Sequence, residues 1–126
     1  VTRYRKLEVS EEIVRSRRNL GRLSEIISYI KENYTSEISL EKLSEVFGYS
    51  PTYLSRMFRK YAHMNYKSYL QSIRLEYAYR ELENSENSIG EIAEHHGFTD
   101  ARAFTRAFKT KYGMLPSEYK KTKNCS

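Results

Sequence analysis

Two stretches of this chain, about fifty residues apart, follow one pattern, and any fold must accommodate both copies. Residues 40–49 align without a gap on residues 89–98. Leu54, Arg56, Phe58 and Met64 then align on Phe104, Arg106, Phe108 and Met114, after one extra residue in the second copy. Each copy reads as a short helix, a glycine turn (Gly48 or Gly97) and a second helix. In the first copy, Ser50 has the side-chain oxygen of an N-cap, and Pro51 suits the first helical position, where an N–H would have no partner. Leu54, Met57, Phe58 and Tyr61 then recur at the spacing of one helical face. Thr52, Ser55, Arg56 and Arg59 form the complementary stripe. The second copy repeats the division, with Phe104, Ala107, Phe108 and Tyr112 inward and Arg102, Thr105, Arg106 and Lys109 outward. Each second helix can therefore pack on its own domain and offer hydrogen-bond donors outward.

The segments around the copies are helical by the same periodicity. Leu23, Ile26, Ile27, Ile30 and Tyr34 mark a helix ending near residues 34–35. Ser39 caps the short helix 40–47, with Leu43, Val46 and Phe47 inward, so residues 21–61 form a three-helix unit holding a helix-turn-helix. Residues 66–83 carry two apolar stripes: Tyr66, Tyr69, Leu70, Ile73 and Tyr77 on one side, Leu75, Ala78 and Leu82 on the other. A helix apolar on two faces is buried between two bodies, and at 1.5 Å per residue this one spans about 27 Å. Ser88 and Glu91 form a capping box that starts helix 88–96, with Ile89, Ile92 and Ala93 inward. Gly113 stops the second outward-facing helix, and Pro116 opens a last short one, 116–120 or a little longer, with Tyr119 inward. Lys120, Lys121 and Lys123 belong to a basic tail (121–126 beyond the domain), expected to be solvated and frayed. Residues 1–20 are polar and mixed in charge. Ser10-Glu11-Glu12 suits a helix start, and Arg15, Arg17 and Arg18 cluster, as in a linker or arm from an upstream domain. The first residue is Val, so a piece of a longer protein is expected.

Charge and chemistry narrow the function. The 126 residues hold 22 Lys+Arg against 16 Asp+Glu, a net charge of +6, which favours polyanions but does not by itself select them. No apolar run approaches the roughly 20 residues that span a bilayer. The single Cys125 cannot form an internal disulfide or build a zinc site. Twelve Tyr without Trp fit amphipathic rings at core margins better than a stacking platform for single strands. His95 and His96 are adjacent, so on a helix they point about 100° apart and cannot share a metal. With no catalytic constellation and no phosphate-cradling glycine loop, neither an enzyme nor a cofactor or metal is expected. Glu41, Glu45, Glu91 and Glu94 read as solvated helix faces.

These residues closely resemble the AraC/XylS family of bacterial transcription regulators. The resemblance covers residues 21–120. It rests on Ser88-Ile89, Glu91-Ile92-Ala93, Gly97-Phe98, Phe104, Arg106, Phe108-Lys109, Gly113, Pro116 and Glu118-Tyr119, then on Leu54-Ser55-Arg56, Phe58, Tyr69-Leu70, Arg74-Leu75 and Ala78. It implies an all-α fold of seven helices: two helix-turn-helix subdomains, 21–65 and 84–120, bridged by the long helix 66–83. It also implies that one protomer sets both outward helices in successive major grooves on one face of double-stranded DNA. Such grooves recur about every 34 Å. Carried over position by position, the base-reading candidates are Thr52, Ser55 and Arg56, then Ala101, Arg102, Thr105 and Arg106. Arg can bond both acceptors of a guanine edge, whereas Ala101 offers only an apolar contact. Arg59, Lys60, Lys109 and Lys111 are the phosphate candidates, which set register without reading sequence. The family further implies transcription activation in the bacterial cytoplasm, at the nucleoid, with RNA polymerase as a second partner and an effector or dimerisation domain upstream.

The chain departs from the family pattern at four places. His63 stands where Gly is usual and must take another backbone conformation or be strained. Ser44 replaces a small Ala, a mild polar change near the turn. Glu83 sits where an apolar residue is common, so the long helix is expected to end early. Lys120 replaces an Arg, which weakens bidentate pairing. Two competing functions are a helical module that binds only a protein and a non-specific DNA-bending protein. The first would put apolar residues on the outward stripes, and the second needs no side-chain diversity there.

Overall fold

The computed structural model describes residue 18 and residues 20–124. Among them are seven helices and no strand: α1 at residues 20–33, α2 Leu40–Phe47, α3 Pro51–Ala62, α4 Tyr66–Asn84, α5 Ile89–His95, α6 Ala101–Tyr112 and α7 Pro116–Asn124. The chain divides into two compact units between Glu32 and Asn33. Helix α1 lies almost wholly in the first, with Leu23, Ile26 and Ile30 buried and Ile27 half-buried. The expected helix start at Ser10-Glu11-Glu12, Arg15, Arg17 and Cys125 lie outside the described residues; Arg18 is exposed.

Side-chain caps decide where the helices of the second unit begin. Ser39, Ser50, Asn65, Ser88 and Asp100 hold extended backbone, and each accepts a hydrogen bond from a backbone N–H of the first turn, at 2.8–3.1 Å. Each such cap contributes about 1 kcal/mol relative to Ala. Ser88 and Glu91 form the full capping box, with Glu91 Oε1 accepting from the Ser88 N–H at 3.3 Å. Asp100 was not singled out in the sequence, although Asp before a helical run is itself a start signal.

The two apolar stripes of α4 serve two cores. On one side, Tyr66, Leu70 and Ile73 are buried, as are Leu43 of α2 and Leu54, Met57 and Phe58 of α3. The Phe58 ring lies 5.3 Å from Tyr66 and 5.4 Å from Tyr69 between centroids, and the Tyr66 hydroxyl donates to the Ile38 carbonyl. On the other side, Leu75, Ala78 and Leu82 form one cluster with Ile92, Ala93, Phe104, Ala107 and Phe108. Burying each large side chain stabilises the fold by about 1.5–3 kcal/mol. Tyr79 extends this second core, packing on Phe108, Tyr112 and Tyr119 at centroid distances of 6.2, 5.0 and 5.2 Å. Nineteen residues make α4 about 28 Å long.

The structure corrects several expectations. Val46 faces solvent, 44% exposed, because Leu43 and Phe47 already fill the inner face of the two-turn α2. Tyr112 is likewise 37% exposed, a lid on Phe108 and Tyr79 rather than a core residue. Helix α4 does not end early: it runs to Asn84, and exposed Glu83 accepts a hydrogen bond from the Tyr119 hydroxyl at 3.1 Å. Lys120 and Lys123 are not part of a frayed tail. Helix α7 reaches Asn124, and Lys120 Nζ donates to the carbonyls of Glu86 and Asn87 at 3.4 and 2.9 Å. Lys123 Nζ donates to those of Leu82 and Ser85, both at 3.3 Å. These carbonyls lie at and just beyond the negative end of α4, where a cation is favoured. Lys120 thus bridges two acceptors without a guanidinium. Ser44 is more than a mild change, since its Oγ donates to the Tyr49 carbonyl and ties the first turn. His63 takes the left-handed conformation at φ 58°, the single non-glycine with positive φ among the described residues. That conformation costs an L-residue about 1–2 kcal/mol.

Candidate nucleic-acid interface

The outward stripes lie as their spacing predicts. On α3, Thr52, Arg56, Arg59 and Lys60 are exposed and Ser55 is half-buried. Thr52, Ser55, Arg56 and Arg59 come together around one shallow depression of about 450 Å³, with Pro51 and Leu40 completing its wall. On α6, Arg102, Arg106, Lys109 and Lys111 are exposed, while Ala101 and Thr105 are half-buried. Arg106 and Lys111 also line a groove of about 720 Å³ between α6 and α4. Its α4 wall supplies Lys67 and Arg74, and Thr99 and Thr110 lie along it. Lys67, Thr99 and Thr110 were not anticipated, because their place follows from how α4 packs on α6 and not from the period of either helix.

Bonding separates the cations into two groups. Among the described residues, Arg56, Arg59, Arg102, Arg106 and Lys109 have no side-chain hydrogen bond or ion pair. An exposed guanidinium left unpaired can turn its full donor fork to an incoming acceptor. Lys60 and Lys111 lie over the rings of the next residues, Tyr61 and Tyr112, at 5.2 and 5.5 Å. Arg80, by contrast, is paired with Glu76 at 2.8 Å. Arg74 is spent on structure: Nε donates to the Tyr34 carbonyl and Nη2 to that of Ser36, both at 2.8 Å. The cations at the ends of α3 and α6 also suit the helix dipoles, so position alone does not assign them to a ligand.

The turn into α6 is held more tightly than the turn into α3. Gly97 has φ 83°, and a Cβ there would lie 3.0 Å from Arg74 Nε and 3.1 Å from the backbone of Thr35. Only glycine fits both the conformation and the space. Just before it, the 100° separation expected of the two histidines does not hold. His96 is the C-cap of α5, with non-helical φ −109° and ψ 17°, so the 100° helical offset does not apply. Both imidazoles reach the Glu81 carboxylate of α4, His95 Nδ1 at 2.9 Å and His96 Nε2 at 3.1 Å. An ionised carboxylate only accepts, so both facing nitrogens carry hydrogen. The Tyr34 hydroxyl and His96 Nδ1 are hydrogen-bonded to each other at 2.9 Å. The Tyr34 ring also lies nearly parallel to those of Tyr77 and His96, with centroids at 4.9 and 5.9 Å. No group of three or more His, Cys, Asp or Glu among the described residues could hold a metal ion, and none of their helices is long and apolar enough to cross a membrane.

Comparisons with known proteins agree with this architecture. A family profile described as a helix-turn-helix domain matches residues 43–122. The multiple antibiotic resistance protein MarA of Escherichia coli is 35% identical over 109 residues, 85% of this chain and 86% of that protein. Among solved structures, the C-terminal domain of AraT, a response regulator from Geobacillus stearothermophilus, superposes with a TM-score of 0.75 at 32% identity. It covers 80% of this chain and 84% of that one. The DNA-binding domain of the global transcriptional factor AdpA, solved with a target DNA, gives a TM-score of 0.75 at 26% identity, over 79% and 90% of the two chains. With two turn-helix copies on one shared helix and relatives that are regulators, this chain belongs to the AraC/XylS family of helix-turn-helix DNA-binding transcription regulators.

Proposed function

We propose that the chain reads double-stranded DNA sequence-specifically through α3 and α6 and regulates bacterial transcription as an activator. The observation that carries this reading is the unpaired, chemically varied outward stripe on each of two repeated helices joined by one spine. Thr52, Ser55 and Arg56 read bases in one major groove, and Ala101, Arg102, Thr105 and Arg106 in the next. Arg59, Lys60, Lys109 and Lys111 neutralise phosphates. The reading domain spans residues 21–120, in subdomains 21–65 and 84–120 joined by 66–83. Activation through RNA polymerase, in the cytoplasm at the nucleoid and under an upstream effector or dimerisation domain, follows the family resemblance.

The test is selection of bound duplexes from a random library at two salt concentrations. The expected result is an asymmetric motif with two informative blocks about one helical turn apart. Arg56→Ala and Arg106→Ala each relax one block, losing about 1–3 kcal/mol of discrimination, while Lys109→Ala weakens all duplexes alike. Binding confined to low salt with no motif would mean that counterion release supplies the affinity, and the sequence-specific reading would fall. Transcription in vitro from a promoter carrying the selected motif, with and without the protein, tests the sign of regulation.

A further inference from the structure

We propose that Tyr34, Glu81, His95 and His96 form a proton-sensitive latch that positions the second reading helix, so that discrimination between DNA sequences is stronger near pH 6 than near pH 8. The proposal rests on the reading of α6 given above. Three segments meet at this point: the turn at residues 34–36, the C-terminal half of α4, and the turn 95–97 that leads into α6. Arg74 bonds two carbonyls of the first segment, and Gly97 lets Thr35 and Arg74 approach the third. Glu81 closes the junction by accepting from both histidines and, at 3.3 Å, from Asn87. None of the four latch residues lies on an outward stripe, so they are positioning residues. A change in how His96 and Gly97 sit on α4 would move the start of α6, and base contacts tolerate little displacement.

The sign follows from the carboxylate. Its hydrogen bond and charge hold the His95 pKa above the ordinary 6.5, so the pairing is complete below that value and is lost as pH rises through the raised one. Burial works to raise the pKa of Glu81, but hydrogen bonds from His95, Asn87 and His96 outweigh it and hold it below 4.5. Its contribution is lost only in more acid solution. The latch is therefore fullest between about 4.5 and 6.5. Other groups facing the site do not reverse this. Glu91 and Glu94 of α5 also favour the charged His95. Tyr34 is held neutral by burial and by the neighbouring Tyr77 and Glu81. Arg80 lies over the far Tyr77 ring at 5.1 Å and is paired with Glu76.

The experiment compares affinity for a library-selected duplex and for its scrambled version, at pH 6.0 and 8.0 and constant ionic strength. The wild type, Glu81→Gln and His95→Gln proteins are tested. The ratio of the two affinities cancels any change in overall charge between the two pH values. The wild-type ratio is expected to be about threefold larger at pH 6.0, and flat with pH in both variants. His95→Gln alters an exposed side chain and so remains a test if Glu81→Gln does not fold. A pH-dependent ratio that survives in a folded variant overturns the latch while leaving DNA reading intact. The lack of any preferred duplex, with the wild type folded by circular dichroism, overturns the reading and the latch's role with it.

Discussion

The two turn-helix copies share a pattern but not a quality of construction. In the second copy, Ser88 and Glu91 complete a capping box, whereas the first has Ser39 followed by Lys42, which leaves the reciprocal half of the box unmade. Helix α6 ends at Gly113, φ 76°, and α3 at His63, φ 58°, where an L side chain is strained. The second copy is clamped from outside by α7, through the Tyr79–Tyr119 hydroxyl pair at 3.0 Å and the two lysines on α4 carbonyls. In the first copy, α2 leaves Val46 in water. Local rules and tertiary packing agree in the second copy and conflict in places in the first, so the first copy is expected to be the less stable. Conflict of this kind is expected where a sequence serves something besides stability.

That ranking can be broken in steps of decreasing size. Phe108→Ala empties the middle of the aromatic cluster beneath α7 and is expected to cost about 3–5 kcal/mol in denaturant titration. A loss under about 1 kcal/mol would show that this packing is not what holds the second copy. Gly97→Ala places a methyl against the Thr35 backbone at positive φ, with an expected cost of about 2 kcal/mol and a lower Tm. His63→Gly should stabilise by about 1 kcal/mol, read as a rise in Tm, and Gly113→Ala should lower stability by a similar amount. If His63→Gly is neutral or harmful, the asymmetry at the helix ends is not strain. Lys42→Glu would complete the missing capping box and add about 0.5 kcal/mol, together with a favourable charge at the start of α2.

Features that depend on neighbours in sequence were legible before any coordinates. The caps at Ser39, Ser50 and Ser88, the two stripes of α4 and the outward residues of α3 and α6 all follow from turns of three and four residues. What could not be read depends on pairs far apart in the chain. Glu83 seemed to end a helix until Tyr119 supplied its partner from 36 residues away. Lys120 and Lys123 looked solvated because the carbonyls they satisfy belong to α4 and the loop after it. His95 and His96 converge on Glu81 because one residue leaves the helix at its cap, and helical geometry stops describing it there. For the candidate interface, the stripes were legible, but the groove walls Lys67, Thr99 and Thr110 were not.

Helix α4 has a consequence for how such a protein can diverge. Both of its apolar faces are occupied, so a substitution on either is felt by a core, and the spine has little freedom to drift. Of the outward residues of α3 and α6, Thr52, Arg56, Arg59, Arg102, Arg106 and Lys109 are exposed, and the unpaired arginines among them have no partner to lose. Selection can therefore rewrite one stripe at a time on an unchanged frame. New targets become accessible in half-steps, each through intermediates that still fold.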